Sequence, residues 1–326
     1  MSLLLPVLAV LLGLAALVWS ADRFVDGAAA SARLLGMPAL LVGMVVVGFG
    51  TSAPELTVSA LSAWQGSPAI ALGNAWGSNI CNIALILGVA AAIRPLAIRR
   101  EALRFDLPIL FGTTILAWWL LADGTLSRAD AVVLLTAFAA WLLASVRRAV
   151  RGGRAPEPDS ADAPGAGLSG RMAAVWTVAG LAFLVLSSRA LVWGAVELAR
   201  AIGVSDLVIG LTVVAVGTSL PELASSIAAA RKGADDLAVG NVIGSNLFNT
   251  LAVVGLAGAI HPMPDADPAI AGRDIPAALL LTVLLAVFGL PRLRRGGGNG
   301  RISRPAGWIL LAGYAAYLAL LVRAEI

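Results

Sequence analysis

The chain has 326 residues, of which 59% are hydrophobic and only 13% are charged, and its mean hydropathy is +0.91. Apolar residues this abundant leave too little polar surface to face water, which excludes an ordinary soluble domain. The formal net charge of +4 comes from arginines between the apolar runs, so it reports orientation in a membrane and gives little reason to expect nucleic acid as a partner.

Taken in chain order, the apolar runs predict ten membrane-spanning helices. Each run is long enough to cross about 30 Å of hydrocarbon as a helix, and the short alternating segments of a membrane barrel are absent. The first run has no basic residues before it, so we expect a retained helix and not a cleaved signal peptide. The predicted fold class is an all-α membrane protein. Its ten helices are predicted at residues 3–33, 38–64, 69–91, 106–122, 128–146, 171–200, 205–230, 236–259, 274–290 and 305–323.

Basic residues indicate how these helices are oriented. Most of the 23 Lys and Arg residues stand in the loops after the odd-numbered helices, so the positive-inside rule places both termini outside the inner (plasma) membrane. A stretch rich in Pro, Gly, Ala and charge predicts a cytoplasmic linker at residues 151–170, between a first half at 1–150 and a second at 171–326. The charged residues from 231 to 236 are expected to form a solvated loop.

A motif in the second predicted helix recurs 167 residues later. VGFGTSAPELTVSA at residues 47–60 becomes VAVGTSLPELASSI at 214–227. At the same offset, GNAWGSNICN at 73–82 becomes GNVIGSNLFN at 240–249. Similarity at one fixed offset, without a gap, indicates that the two halves arose by duplication.

The number of helices in each half determines how the two copies are related. Five is an odd number, so the second copy must enter the membrane from the opposite face. The sequence therefore predicts two inverted five-helix repeats, with the repeated motifs at residues 41–90 and 208–257. Inverted repeats are typical of secondary transporters, whose ion sites lie near the bilayer midplane at the repeat interface.

Each copy of the motif carries a proline and a glutamate at membrane depth. Pro54 and Pro221 cannot donate a hydrogen bond to the carbonyl four residues back, so each helix should open there and expose backbone oxygens. A carboxylate at a helix centre costs on the order of 3 kcal/mol on insertion scales and usually marks an ion or proton path. Glu55 and Glu222 are therefore predicted to share one cation site.

Neutral oxygen donors accompany both glutamates. Two carboxylates with hydroxyl, amide and carbonyl oxygens suit Ca²⁺, which takes six to eight oxygen ligands, and suit Na⁺ equally. No histidine lies at membrane depth, so a transition-metal site is not expected. Asn74 and Asn241 are expected to cap or cross-link helices. The other donors are Thr51, Ser52, Ser78 and Asn82 in the first copy, and Thr218, Ser219, Ser245 and Asn249 in the second.

The paired GTS-x-PEL and GN-x-x-GSN-x-x-N segments, one pair in each half, resemble the α-repeats of the cation/Ca²⁺ antiporter superfamily, specifically prokaryotic sodium/calcium exchangers. The resemblance implies four neighbouring cation sites in the core, and long first and sixth helices that slide across it. It implies Glu55 and Glu222 as shared Ca²⁺ and Na⁺ ligands, with the carbonyls of Thr51 and Thr218 completing the Ca²⁺ site. It further implies flanking Na⁺ sites at Ser52, Ser78, Ser219 and Ser245 with carbonyls of Gly48 and Ala215, and a central position at Asn82 and Asn249.

The charge of the predicted site departs from part of this family. Some relatives carry an aspartate where this chain has Asn82 or Asn249, so the site here has only two formal negative charges. Two charges balance one Ca²⁺ or two Na⁺, and a third Na⁺ would leave net positive charge in a medium of low dielectric constant. The Na⁺:Ca²⁺ stoichiometry stays open.

The leading hypothesis is a Na⁺/Ca²⁺ antiporter: not an enzyme, without a cofactor, with Ca²⁺, Na⁺ and the lipid bilayer as partners and no obligate protein partner. Ca²⁺/H⁺ exchange, in which the glutamates take up protons, and K⁺-dependent exchange stay open as alternatives. A cation channel is less favoured because no filter segment is evident. A hydrolase would need an activating base at membrane depth, and the sequence places none there.

Overall fold

The computed structural model describes residues 3–66, 68–151, 164–203, 215–294 and 300–325, which are mainly helical. Within these ranges eight helices are long and apolar enough to cross a bilayer, and a bent pair makes a ninth span. The prediction of an all-α protein with many membrane spans is confirmed. The helices are α1 (Leu4–Leu34), the bent pair α2 (Ala39–Thr51) and α3 (Ala53–Trp64), α4 (Pro68–Ile93), α5 (Ala102–Leu120), α6 (Arg128–Arg151), α7 (Gly170–Ala201), α8 (Ala215–Thr218), α9 (Leu220–Arg231), α10 (Asp235–Ile260), α11 (Ile270–Leu290) and α12 (Arg304–Glu325).

Some of the predicted helices do not coincide fully with the described ones. The helix predicted at 205–230 lies partly outside the described residues, which omit 204–214 and resume with α8 and α9. Helices α5 and α11 each begin four residues before the predicted start, in a wide π-helical turn. Arg104 and Arg273 stand in those turns, so the apolar run from which each helix was predicted starts later than the helix itself.

The long helices α1 and α7 cross with their backbones in contact. A Cβ added to Gly27 would lie 2.5 Å from the backbone N of Thr177, and one added to Gly180 would lie 2.8 Å from the backbone N of Phe24. Residue 24 thus faces 180 while residue 27 faces 177, which makes the two helices antiparallel. Glycine permits this approach because no side chain separates the two main chains.

Two short main-chain pairings join the halves. Strand β1 (Leu96–Ile98) pairs antiparallel with strand β2 (Gly300–Ile302). Leu126 and Met263 form an isolated bridge, each donating its N–H to the other's carbonyl at 2.7 and 2.9 Å. The all-α prediction did not include these strands, because three residues are too few to show an alternating pattern.

The prediction of a solvated loop at residues 231–236 is wrong for most of its charges. Asp235 accepts a hydrogen bond from Arg94 at 3.1 Å, and Asp236 pairs with Arg99. The turn between α9 and α10 lies beside β1, so the two carboxylates meet the arginines that flank this strand. The ion pairs fix the start of α10 to the segment between α4 and α5.

Lys232, in the same turn, contacts α1. Its Nζ lies 2.9 Å from Oδ1 of Asp26 and donates to the backbone carbonyl of Asp22 at 2.8 Å. Ion pairs between partly exposed groups contribute modestly to stability, so this contact sets a position more than it holds the fold. It joins the long first helix to the end of α9.

We expect Gly27→Ala to lower the thermal stability of the purified protein in detergent, because the new methyl would meet the backbone of α7. Overpacking of this kind costs about 1–3 kcal/mol. Gly112→Ala in α5 is the matched control, since a Cβ there has no atom within 4 Å. Equal melting temperatures for the two variants would show that the close crossing does not exist.

Candidate cation site

Two helix breaks place the glutamates at the centre of the molecule. The pair α2 and α3 bends by 45°, with Ser52 at the break in a non-helical conformation (φ −83°, ψ 5°). Ser219 takes an equivalent conformation (φ −90°, ψ 7°) between α8 and α9. Pro54 and Pro221 stand in the first turn of the helix after each break, where their missing N–H is tolerated. The breaks fall where the prolines predicted them.

The two carboxylates are buried and mostly unpaired. Glu55 and Glu222 are each only 1% exposed. Ser52, from the first half, donates its hydroxyl to Oε1 of Glu222 at 3.1 Å. Within the described residues, Oε2 of Glu222 and both carboxylate oxygens of Glu55 have no hydrogen-bond partner. Buried carboxylate oxygens of this kind are costly unless a cation or a donor meets them, so they fit a hard cation.

Equivalent asparagines hold the backbone of both glutamates. Asn74 donates through Nδ2 to the carbonyl of Glu55 at 3.3 Å and to the hydroxyl of Ser59 at 3.1 Å. Asn241 donates to the carbonyl of Glu222 at 3.3 Å. Both asparagines therefore cross-link helices, as expected from the sequence. The carboxylates are carried on backbone that is fixed from a neighbouring helix.

Contacts between α2 and α10 bring more of the predicted donors together. Thr51 donates its hydroxyl to Oδ1 of Asn241 at 3.1 Å. The carbonyl of Gly48 accepts from the hydroxyl of Ser245 at 3.4 Å and from the N–H of Ser52 at 3.0 Å. A Cβ on Gly48 would lie 3.0 Å from the backbone N of Ser245, which is a tight contact, so glycine favours this approach. The two copies of the motif thus interlock at the level of the helix breaks.

The remaining predicted residues lie on the same elements. Ser78 and Ser219 are buried, Thr218 is half-buried beside the second break, and Ala215 is the first described residue of α8. Asn82 and Asn249 stand in wide π-helical turns, at Cys81–Ile86 and Phe248–Val253. A π-helical turn admits an extra residue per turn and is frequent at functional sites.

An amide network crosses the core between these two turns. Asn82 donates through Nδ2 to Oδ1 of Asn246 at 2.9 Å, and Asn246 donates to the carbonyl of Asn79 at 3.2 Å. Asn79 donates to the hydroxyl of Thr250 at 2.9 Å. The side-chain oxygen of Asn82 and both polar atoms of Asn249 have no partner among the described residues.

Three members of this network, Asn79, Asn246 and Thr250, were not among the predicted site residues. A signal for two of them was present, because Asn79 and Asn246 are the asparagine of GSN in both motif copies. Thr250 gave no such signal, since its equivalent in the first half is Ile83.

The chemistry of the assembled donors is that of a hard cation site. The described residues contain no group of three or more His, Cys, Asp or Glu side chains placed to hold a metal ion. The negative charge therefore comes from Glu55 and Glu222 alone, and the other oxygens are neutral. Such a donor set suits Ca²⁺ and Na⁺ and does not select transition metals.

Comparisons with known proteins agree with this chemistry. A family model described as "Sodium/calcium exchanger protein" matches residues 5–147 and 172–323. The chain is 44% identical to "Putative antiporter CaxA" of Alkalimonas amylolytica, over 98% of this chain and 99% of that protein. It is 38% identical to "Inner membrane protein YrbG" of Escherichia coli, over 98% of this chain and 97% of that protein. A solved structure of the sodium-calcium exchanger NCX_Mj, soaked with Na⁺ and Ca²⁺, matches with a TM-score of 0.82 and 32% identity, covering 97% of this chain and 98% of that one.

We expect Asn241→Leu to destabilise the protein by about 1–3 kcal/mol, because it leaves buried acceptors without their donor. Asn74→Leu at the equivalent, partly exposed position should cost less. Melting in detergent, followed by intrinsic fluorescence, compares the two. A larger loss for Asn74→Leu would contradict the roles given to these cross-links.

Proposed function

The chain belongs to the sodium/calcium exchanger family, and we propose that it is a secondary active antiporter exchanging Ca²⁺ for Na⁺ across the membrane by alternating access. Two buried glutamates carry this proposal, since three of their four carboxylate oxygens have no hydrogen-bond partner in the described part of the chain. Carboxylates placed this deeply serve a membrane protein only if cations reach them.

Sharing of the glutamates explains how exchange is coupled. Glu55 and Glu222 supply all the negative charge of the site, so Ca²⁺ and Na⁺ compete for the same oxygens. A core that carries two uncompensated carboxylates pays a large electrostatic cost in a low-dielectric medium. The empty site therefore resists the change of access, and only a loaded site completes it. Ca²⁺ moves one way because Na⁺ moves the other.

We assign the ligands from the predicted set. The two carboxylates are shared by both ions, the carbonyls of Thr51 and Thr218 complete the Ca²⁺ site, and the hydroxyls and amides hold Na⁺ around it. The burial of the two carboxylates, the four serines and the two asparagines, and the contacts between α2 and α10, support the assignment. The full set is Glu55, Glu222, Thr51, Thr218, Ser52, Ser219, Ser78, Ser245, Asn82, Asn249, Gly48 and Ala215.

The architecture we propose has ten spans in two inverted halves, at residues 1–150 and 171–326. Leu96 and Met263, which are equivalent residues, support the inversion. Strand β1, which begins with Leu96, and Leu126 lie at opposite ends of the span α5. Met263 pairs with Leu126, whereas β2 pairs with β1. Leu96 and Met263 are therefore at opposite faces. The linker joins the halves at 151–170, of which residues 152–163 are outside the described ranges.

The movable part in this proposal is the pair α1 and α7. Their main chains touch directly, so the two helices form one unit. Small side chains make much of the surface between this unit and the core, including Ala28 of α1, Ala228 of α9 and Ala238 of α10. Small side chains interdigitate little, so few side-chain contacts must break when the pair slides along the core.

We place the protein in the inner membrane with both termini outside, on the arginine-rich loops and on its likeness to a protein named for that membrane. The transported ions are its only ligands in this proposal. It is not an enzyme, needs no cofactor or obligate protein partner, and contacts lipid and no nucleic acid.

Ca²⁺/H⁺ exchange is the second candidate, because two buried carboxylates, with three of their four oxygens unpartnered in the described part of the chain, can be neutralised by protons as well as by Na⁺. We expect ⁴⁵Ca²⁺ uptake into proteoliposomes to require an outward Na⁺ gradient and to be negligible with a pH or K⁺ gradient alone. Empty liposomes are the control. Uptake that follows the pH gradient without Na⁺ would replace the first candidate by the second.

We expect Glu55→Gln to lower Na⁺-driven Ca²⁺ uptake by more than about tenfold, because it removes half of the charge that both ions share. The protein should still fold, since neither carboxylate oxygen of Glu55 has a partner to lose among the residues that the structure describes. Glu101→Gln, at an exposed position before α5, is the matched control and should transport normally. Normal exchange by Glu55→Gln would remove Glu55 from the ligand set.

A further inference from the structure

The pair of helices α1 and α7 is symmetric within itself. A Cβ added to Gly13 would lie 3.0 Å from the backbone N of Leu191, and one added to Gly180 would lie 2.8 Å from the backbone N of Phe24. At the offset of 167, Gly13 is equivalent to Gly180 and Phe24 to Leu191, so the two contacts are copies of each other. The offset that relates the two motif copies therefore relates the two long helices as well.

The contacts of this pair with the core are not symmetric. Leu181 of α7 packs against the first helix break, since a Cβ on Gly50 would lie 2.6 Å from Cδ2 of Leu181. The equivalent of Leu181 in α1 is Leu14, which is 50% exposed. A symmetric pair that contacts a duplicated core on one side only has a second, equivalent placement, in which Leu14 packs against Gly217.

Ser188 of α7 holds a carbonyl at the second helix break. Pro221 has no N–H to donate to the carbonyl of Gly217, and the hydroxyl of the buried Ser188 donates to this carbonyl at 3.2 Å. The helices approach closely here, because a Cβ on Gly217 would lie 2.5 Å from Cγ2 of Val192. The bond therefore ties α7 to the helix break that precedes Glu222.

The first half has no hydroxyl for the equivalent bond. Ala21 stands in α1 where Ser188 stands in α7, and Gly50 is the equivalent of Gly217. Pro54 likewise has no N–H for the carbonyl of Gly50. In the second placement Ala21 would lie at this carbonyl, where its methyl group offers no donor. The hydrogen bond thus belongs to one of the two placements only.

We propose that Ser188 sets the balance between the two access states of the exchanger: its bond to Gly217 favours the placement of α1 and α7 described here over the equivalent one. One net hydrogen bond shifts a two-state equilibrium by about two- to tenfold. A bias of this size favours one state and keeps the other populated, as alternating access requires. This inference rests on the proposed function.

Two substitutions of opposite chemistry test the inference. Ser188→Ala removes the bond from the present placement, and Ala21→Ser supplies the equivalent bond in the other placement. Both should therefore shift the equilibrium in the same direction, each by about two- to tenfold. Ser187→Ala is the matched control, because the hydroxyl of the buried Ser187 donates at 3.1 Å to the carbonyl of Leu184 in its own helix.

The labelling rate of a reporter cysteine measures this equilibrium without transport. In Leu181→Cys the thiol lies against Gly50 in the present placement, and in the other placement it is exposed as Leu14 is here. Its reaction with N-ethylmaleimide in detergent therefore becomes faster as the other placement becomes more populated. The native Cys81 is buried, and the protein without the reporter gives the background.

With this reporter, Ser188→Ala and Ala21→Ser should each raise the labelling rate about two- to tenfold, and Ser187→Ala should leave it unchanged. An unchanged rate in Ser188→Ala, an unchanged or lower rate in Ala21→Ser, or an equal rise in Ser187→Ala would overturn the inference. Ala21→Ser leaves the bond of Ser188 in place, so it tests the inference alone if Ser188→Ala does not fold.

Transport measurements separate this inference from the proposed function. The KM for Ca²⁺ is measured from each face, in everted and in right-side-out vesicles, and the ratio of the two values should shift in the same direction in Ser188→Ala and Ala21→Ser. If the labelling rates change as expected but Na⁺ drives no Ca²⁺ uptake in the wild type, the antiport fails while the role of Ser188 stands. If Na⁺ drives uptake and both substitutions leave labelling unchanged, the role of Ser188 fails alone.

Discussion

Two carboxylates in one membrane core repel each other and lose the solvation of water, and much of the architecture accommodates that cost. Proline-associated breaks place Glu55 and Glu222 at the first turn of a helix, where unpaired N–H groups favour negative charge. Asn74 and Asn241 hold the backbone of both residues from adjacent helices. The carboxylates are thus fixed in place while three of their four oxygens have no partner among the described residues, and this arrangement favours the entry of a cation.

Much of the fold and the centre of the site follow from local signals in the sequence. Apolar runs mark the spans, a repeat at a fixed offset marks the two halves, and a glutamate after a proline in both copies marks the carboxylates. The strand pairings and the Asn82 to Asn246 contact join segments far apart in the chain, and no local pattern specifies them. Thr250 was missed because comparison of the two copies draws attention to identical residues, whereas the equivalent of Thr250 in the first half is Ile83.

Differences between the halves also decide how the ends of the core are held. Asp235 and Lys232 anchor the turn between α9 and α10 to β1 and to α1. Their equivalents in the first half are Pro68 and Gln65, which carry no charge. The two ends of the core are therefore held by different forces, although the helices between them follow the same pattern. Function that needs two unlike states can draw on such asymmetry within a duplicated frame.

The pairing of β1 in the first half with β2 in the second has a consequence for how the protein is synthesised and folds. β1 follows the third span of the first half, but its partner β2 precedes the last helix, α12. The first half therefore leaves the ribosome with β1 unpaired. β1 stays unpaired until almost the whole second half has been synthesised. Neither half is complete without the other, so a chain truncated before β2 lacks more than its last helix.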